Sequence, residues 1–218
     1  MLNLAFDTTS KACSVILTDN GKALDKKIEK MEFGQAEALF PIFQHILKSQ
    51  NLTPADLNLV TVCCGPGSFT GVRSSLAAAR TLGLALQDLK ITGVSGFEVY
   101  LEDLADQELA EVNAIIIETK RADFYFQAFD KNRNKISEPA ALGYDEILPY
   151  LRNKKVTLIG DGVERFLHKP SGLSLHVIRM EDFPPIEALA RCGDKKYKLK
   201  LLDYPKPLYL RAPDVCMS

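Results

Sequence analysis

Residues 2–6 form a short apolar run and residues 13–18 a second one, each with the composition of a buried strand. Between them, Asp7-Thr8-Thr9-Ser10 has the chemistry of a turn. Asp19-Asn20-Gly21 predicts a hairpin, because Asn and Gly readily take positive φ, and residues 22–30 then read as a third, more polar strand. Leu39, Ile42, Phe43, Ile46 and Leu47 recur at three- and four-residue steps, which predicts a helix over 34–50 with one apolar face and Pro41 inside it. Thr53-Pro54-Ala55-Asp56 reads as an N-cap followed by proline at the first helical position, and the apolar run 57–64 as a buried strand. A glycine loop over 65–71 leads to a helix over 72–86, a strand over 91–94 and a helix over 96–104.

The second half alternates more weakly, and the chain has no internal repeat. Residues 112–119 are a strongly apolar strand, and 123–130 alternate beside it. The pattern further predicts a helix over 144–151, a strand over 156–159, a turn at Gly160-Asp161-Gly162 and a helix ending at His168. It ends with a strand over 174–178, a helix over 185–192 and a last strand over 208–211. Strands alternating with helices in this order predict a mixed sheet with helices packed on it, an α/β architecture. The boundary falls near 105–112, giving an N-terminal subdomain over 1–105 and a smaller one over 106–218.

The chain has 218 residues, 46% of them apolar and 25% charged, which suffices for a real core without disulfide or metal staples. The 27 Lys+Arg and 28 Asp+Glu nearly cancel, which argues against a protein held to nucleic acid by bulk charge. No apolar run is long enough to span a membrane, and the N-terminus is neither a secretory signal nor an Arg-rich transit peptide. Five irregularly spaced cysteines, Cys13, Cys63, Cys64, Cys192 and Cys216, fit reduced thiols in a cytoplasmic protein. Cys63 and Cys64, adjacent on a strand, point to opposite faces. His45, His168 and His176 have no metal-ligand spacing. The stretch 98–118 holds seven acids and no Lys or Arg, and reads either as an acidic docking face or as a solvated helix face and loop. The stretch 191–211 holds seven basic and two acidic residues, and reads as an RNA or partner contact or as a solvated tail.

Three segments have the composition for chemistry. Gly65-Pro66-Gly67-Ser68-Phe69-Thr70-Gly71-Val72-Arg73 follows a strand and opens a helix, where backbone amides can cradle an anion. It lacks the lysine of a P-loop and the spacing of a dinucleotide fingerprint. Arg73 falls in the first helical turn, where a cation opposes the helix dipole and needs an anion or a carboxylate. The loop, with Gly65, Gly67, Ser68, Thr70, Gly71 and Arg73, is therefore either an anion cradle or a tight structural turn. Asp7-Thr8-Thr9-Ser10 is the kind of acid–hydroxyl turn with which actin-like ATPases hold phosphate and magnesium waters. Glu118-Thr119-Lys120-Arg121-Ala122 repeats that strand–turn–strand logic without a glycine. No nucleophile elbow and no metal motif occurs.

Leu4-Ala5-Phe6-Asp7-Thr8-Thr9-Ser10 with Ala12-Cys13-Ser14-Val15, the block from Gly65 to Arg73, Ile91-Thr92-Gly93-Val94-Ser95, and Tyr204-Pro205-Lys206-Pro207-Leu208-Tyr209-Leu210-Arg211 resemble the TsaB (YeaZ) family over nearly the full length. The resemblance implies an actin-like, HSP70-type (ASKHA) fold of two related halves. It implies a part in forming N6-threonylcarbamoyladenosine at position 37 of tRNAs that read A-starting codons. In that family the TsaD paralogue performs the transfer, the TsaB protein is its non-catalytic partner, and a TsaE ATPase joins them. The implied partners are thus a TsaD-type transferase, a TsaE-type ATPase, tRNA indirectly, and a second copy when the chain is alone. No cofactor is implied.

Two positions depart from the family pattern. Gln35 stands where a histidine is usual, and Glu118-Thr119-Lys120 with Ala122 replaces an Asp-x-Arg turn followed by glycine. Both favour a partner over an enzyme. The competing reading is an actin-like ATPase or small-molecule kinase that uses the Asp7 turn for phosphate. A metallopeptidase is excluded by the lack of ligands. The expected partner surface is Leu39, Ile42, Phe43, Ile46 and Leu47 on the first helix, with Phe43 as anchor. Val72, Leu76, Ala79 and Gly83 join it from the second helix, where Ala77, Ala78 and Ala85 allow close approach.

Overall fold

The structure is a computed structural model that describes residues 1–169 and 172–211; Cys216 lies outside the described residues. The chain runs β1 (Leu2–Asp7), β2 (Ala12–Asp19), β3 (Lys22–Lys30), α1 (Gln35–Ser49), β4 (Leu59–Cys63), α2 (Phe69–Ala85), β5 (Lys90–Val94) and α3 (Gly96–Asp103). It continues with β6 (Val112–Glu118), β7 (Asp123–Phe129), β8 (Ala140–Gly143), α4 (Tyr144–Leu151), β9 (Lys155–Gly160), α5 (Val163–Leu167), β10 (Ser174–Met180) and α6 (Ile186–Leu199). One compact unit contains Met1–Asp103 with Phe183–Pro207, so α6 returns to the first unit; the other contains Leu104–Asp182 and the chain from Leu208.

The two units have the same topology. The first sheet has the order β3-β2-β1-β4-β5 and the second β8-β7-β6-β9-β10. In each, the middle strand pairs antiparallel with its hairpin partner and parallel with the strand that follows the first crossover helix. Two related halves, each a mixed sheet flanked by helices, make up the actin-like, HSP70-type fold. The β2–β3 hairpin turns through Asn20 at φ 49° and Gly21 at φ 82°, the positive values that a tight hairpin turn requires.

Alternation along the strands sorts the first unit's core. Leu4, Phe6, Val60 and Val62 pack with α1 and α2 on one face. Ala5, Ile16 and Cys63 pack with α3 and α6 on the other. Cys63 and Cys64 thus do face opposite sides. A buried polar layer fixes α6. The Asn3 amide donates to the Ala190 carbonyl at 3.2 Å and to Asp194 Oδ1 at 2.9 Å, and Thr61 Oγ1 donates to Asn3 Oδ1 at 2.9 Å. In the second unit α4 and α5 cover one face through Ile147, Leu151 and Phe166.

Several elements differ from the sequence expectation. Helix α2 begins at Phe69, three residues before the apolar pattern, because Ser68 caps it and its hydroxyl accepts the Gly71 amide at 3.3 Å. Helix α6 runs seven residues past 192. Gly193 does not break it but lets it cross the sheet at Thr61, where a Cβ would collide with the Thr61 side chain. Strand β8 has no clear alternation in the sequence and forms against β7. The expected strand over 208–211 does not form. Pro205 and Pro207 remove ladder donors just upstream. The stretch upstream, 203–205, is held by Gly93 N donating to the Asp203 carbonyl at 2.9 Å and by the Arg80 guanidinium on the Pro205 carbonyl at 2.6 Å. No helix of the described residues is long and apolar enough to cross a membrane.

The α6 contact yields a stability prediction. Gly193→Ala should lower unfolding stability by about 1–3 kcal/mol, the usual range for overpacking a fitted core. Urea unfolding should show the midpoint falling with the slope unchanged.

Candidate functional site

The acid–hydroxyl turn at the end of β1 is clasped from below by the glycine loop. Thr9 N donates to Asp7 Oδ1 at 2.9 Å, and Thr8 N donates to Ser75 Oγ at 3.2 Å. Thr8 Oγ1 donates to the Gly71 carbonyl at 2.7 Å, and Ser68 N donates to the Thr9 carbonyl at 2.8 Å. A Cβ on Gly67 would collide with the Thr9 carbonyl, and one on Gly71 with the Thr8 carbonyl. These two glycines are required by closeness: backbone lies against backbone. Gly65 takes φ 92°, and its carbonyl accepts the Gly96 amide at 2.8 Å.

Asp7 is 1% exposed, and among the described residues its Oδ2 has no hydrogen-bond partner. Burial pushes its carboxyl above the ordinary value, against the opposing effect of the Thr9 hydrogen bonds. The cysteines nearby are quiet thiols. Burial pushes Cys63 well up, Cys13 to about 12 and Cys64 to about 11.

Thr70 is exposed, and its carbonyl accepts Ser74 Oγ at 2.9 Å within α2. Since α2 starts at Phe69, Arg73 is its fifth residue and lies beyond the first turn, so the dipole argument for an anion there lapses. Arg73 is exposed, with its guanidinium 5.2 Å from the centroid of the Phe69 ring.

The matching turn of the second unit is closed by charge. Glu118 N donates to Asp161 Oδ1 at 2.9 Å, and Lys120 N to Glu118 Oε1 at 2.5 Å. Arg165 grips Glu118 through Nε and Nη2, both at 2.7 Å, and reaches the Asp123 carbonyl at 2.7 Å. It also stacks on Phe124, 3.8 Å from the ring centroid, while Arg211 pairs with Asp123. The fork on Glu118 and two backbone amides hold its carboxyl below the ordinary value, against the effect of its partial burial.

The acidic stretch is a paired surface. In the first unit Glu98 meets Lys196, Glu102 meets Lys195, and Asp103 meets Arg191. In the second, Asp106 meets Arg133, Glu108 meets Arg179, and Glu111 accepts the Lys155 amide. Four of these cations, Arg191, Lys195, Lys196 and Arg179, come from the late part of the chain. Among the described residues no group of three His, Cys, Asp or Glu is placed to hold a metal.

The expected partner residues lie inside the first unit. Leu39, Ile42, Phe43, Ile46, Leu47, Val72, Leu76 and Ala79 are each at most 5% exposed and form one core cluster. Gly83 is half-buried against Ile91. Phe43, expected as an anchor of the partner surface, is buried in this core. Its helical stripe is apolar because it faces the sheet and α2. The apolar side chains of these two helices that reach solvent lie on their other sides: Phe40 at 41%, Phe69 at 44% and Leu84 at 85%. Phe33, just before α1, is 87% exposed. The sequence signal for them was available: they are the bulky residues left off the main stripes.

Comparison with known proteins follows from this geometry. The family model described as "TsaD: tRNA N6-adenosine threonylcarbamoyltransferase" matches residues 34–202. The tRNA threonylcarbamoyladenosine biosynthesis protein TsaB of Escherichia coli is 28% identical, over 95% of this chain and 94% of that one. The protein of that name from Buchnera aphidicola of Baizongia pistaciae is 27% identical, over 75% and 76% of the two chains. In fold the chain is similar to YeaZ from Pseudomonas aeruginosa, with a TM-score of 0.82, 22% identity, and 96% and 99% of the two chains covered. The family model spans well over half of the sequence and the relatives agree with it, so the chain belongs to the family that this model describes and, within it, to the TsaB (YeaZ) proteins.

Proposed function

We propose that the chain is a non-catalytic subunit in N6-threonylcarbamoyladenosine formation on tRNA, and that it works by binding and supporting a TsaD-type transferase. The relatives are named for that pathway. The observation that carries the non-catalytic part is the closure of both turns. Where an actin-like ATPase presents amides and cations to phosphate, this chain uses them on itself. Thr8 N and Thr9 N bond Ser75 and Asp7, Lys120 N bonds Glu118, and Arg165 is locked on Glu118. The competing reading, an ATPase or kinase built on Asp7, draws on the unpartnered Asp7 Oδ2. That oxygen is buried, and burial raises the Asp7 carboxyl above its ordinary value, which disfavours the charged form that magnesium waters call for. Calorimetry with ATP and magnesium, together with ATP turnover, tests the reading. Neither binding nor turnover is expected of the purified chain. Turnover abolished by Asp7→Ala would establish the enzyme instead.

The outward sides of α1 and α2 are the docking face in this proposal, with Phe40, Phe69 and Leu84 as its apolar points. Exposed aromatics of this kind anchor interfaces because they bury much area at little entropy cost. A TsaE-type ATPase would join the assembled pair, tRNA would reach the chain through the transferase, and a second copy can occupy the same face when the transferase is absent.

Two predictions follow from these sites. Asp7 titrates above its ordinary value when folded, so its contribution is fully favourable below about pH 3.9 and is lost as pH rises through the folded value. Asn does not titrate, so Asp7→Asn should gain stability over the parent as pH rises from about 4 toward 7, by at most about 1.4 kcal/mol per pH unit. Urea unfolding across that range checks the sign. At the docking face, Phe69→Ala should weaken TsaD-type transferase binding by about 2 kcal/mol and Leu84→Glu by a similar amount, both with intact melting. Phe43→Ala should instead cost about 3–5 kcal/mol of folding stability.

A further inference from the structure

The Gln35 side chain draws together backbone from two loops. Its Nε2 donates to the Ser10 carbonyl at 3.1 Å, the Met31 carbonyl at 3.1 Å and the Glu32 carbonyl at 3.4 Å. Ser10 belongs to the turn that Gly67 and Gly71 clasp, whereas Met31 and Glu32 precede α1. The same short loop is pinned elsewhere: Met31 N donates to the Lys11 carbonyl at 3.0 Å, and Gly34 takes φ 92° with its carbonyl accepting Ala38 N at 3.0 Å. The residue this fixed loop carries is Phe33, 87% exposed. A bulky apolar side chain held out on ordered backbone has already lost part of the freedom that binding would otherwise remove.

We propose that Gln35 is a positioning residue: it ties the loop of residues 31–34 to the Asp7–Ser10 turn so that Phe33 stands as a preformed aromatic anchor for the TsaD-type transferase. This rests on the docking role proposed above. The occupant follows from continuity. Phe33 leads directly into α1, which carries Phe40, and Phe69 opens the neighbouring helix whose cap holds the same turn. The anchor thus extends the proposed transferase face at its N-terminal end. Gln35 suits the task because its amide nitrogen carries two N–H donors, which serve the Ser10 and Met31 carbonyls, with the longer Glu32 contact sharing one of them. A glutamate of the same size would donate nothing and set a negative charge against three oxygens.

The test is a double-mutant cycle on the full chain, titrated with the purified TsaD-type transferase, with melting and self-association measured alongside. Phe33→Ala should weaken transferase binding about tenfold or more, the loss expected of an aromatic anchor. Gln35→Glu should weaken it by a smaller factor, and the double variant should bind like Phe33→Ala alone, because Gln35 acts through Phe33. Melting of Phe33→Ala should match the parent. Gln35→Ala, which removes the donors without adding charge, serves if Gln35→Glu does not fold.

Strictly additive losses, or a Gln35 variant that lowers melting while binding holds, would overturn the proposal. Unchanged transferase affinity with lost self-association in Phe33→Ala would also overturn it and assign the anchor to a second copy. Phe69→Ala and Leu84→Glu keep the two readings apart. If they weaken binding and Phe33→Ala does not, the anchor fails and the docking role stands. If none of the three matters, the docking role itself fails.

Discussion

Most of the first unit hangs on one contact: backbone of the glycine loop lying directly against backbone of the Thr8–Thr9 turn. No side chain fits between them. Since the loop runs straight into α2 through the Ser68 cap, the contact fixes where α2 starts relative to β1. Ser75, one turn further along α2, completes the turn's hydrogen bonds, so helix and turn satisfy each other's polar groups away from water. Gln35 then ties the start of α1 to Ser10 of the same turn. The beginnings of α1 and α2 are therefore set by a few residues of main chain that are rigid because they are close-packed.

The second unit adds charge to the same device. The loop Gly160-Asp161-Gly162 lies against the end of β6, where a Cβ on Gly160 would collide with the Ile116 carbonyl, and the acids and amides of the turn that follows are satisfied by Arg165, Asp161 and Arg211. A two-pronged guanidinium–carboxylate pair, half-buried and stacked on Phe124, fixes geometry more strongly than an exposed ion pair does. Both halves have thus kept the strand–turn–strand frame and filled it from within. A phosphate would have to displace hydrogen bonds that each turn already makes, and each lost bond would leave a polar group without a partner.

The sequence made most strands and helices and the α/β class legible, because period-two and period-three-to-four patterns are strong in residues 2–104, whereas the two related halves were implied only by the family resemblance. It showed the clasp as a glycine-rich block but not its role, since a carbonyl close enough to exclude a Cβ leaves no mark except the glycine itself. The stripe that it offered as a partner surface is buried in the chain, for a plain reason. Periodicity reports which residues share a face, not which way that face looks. Leu39, Ile42, Phe43, Ile46 and Leu47 form the stronger stripe of α1, and burial claims the stronger stripe. The start of α2 was missed because Phe69 and Thr70 face water and carry no stripe. The end of α6 was missed because Gly193 reads as a stop in sequence, while in the fold it is the place where the helix lies closest to Thr61.

Charge and apolar exposure then divide the first unit's solvent-facing side chains by role. Three acids of the 98–118 stretch meet cations of α6 at distances of 2.6 to 3.2 Å. Such exposed pairs contribute little stability each, but they cancel the field an acidic partner surface would need. The basic run of α6 is neutralised by the same pairs, which weakens its candidacy as an RNA contact. Beside α1 and on α2, by contrast, Phe33 and Leu84 stand more than four-fifths exposed. An apolar side chain in that position gains by being covered, whereas a paired lysine gains almost nothing. That difference in what each side chain gains by being covered, rather than net charge, is what supports the proposed docking on the helices that the Thr8–Thr9 clasp holds in place.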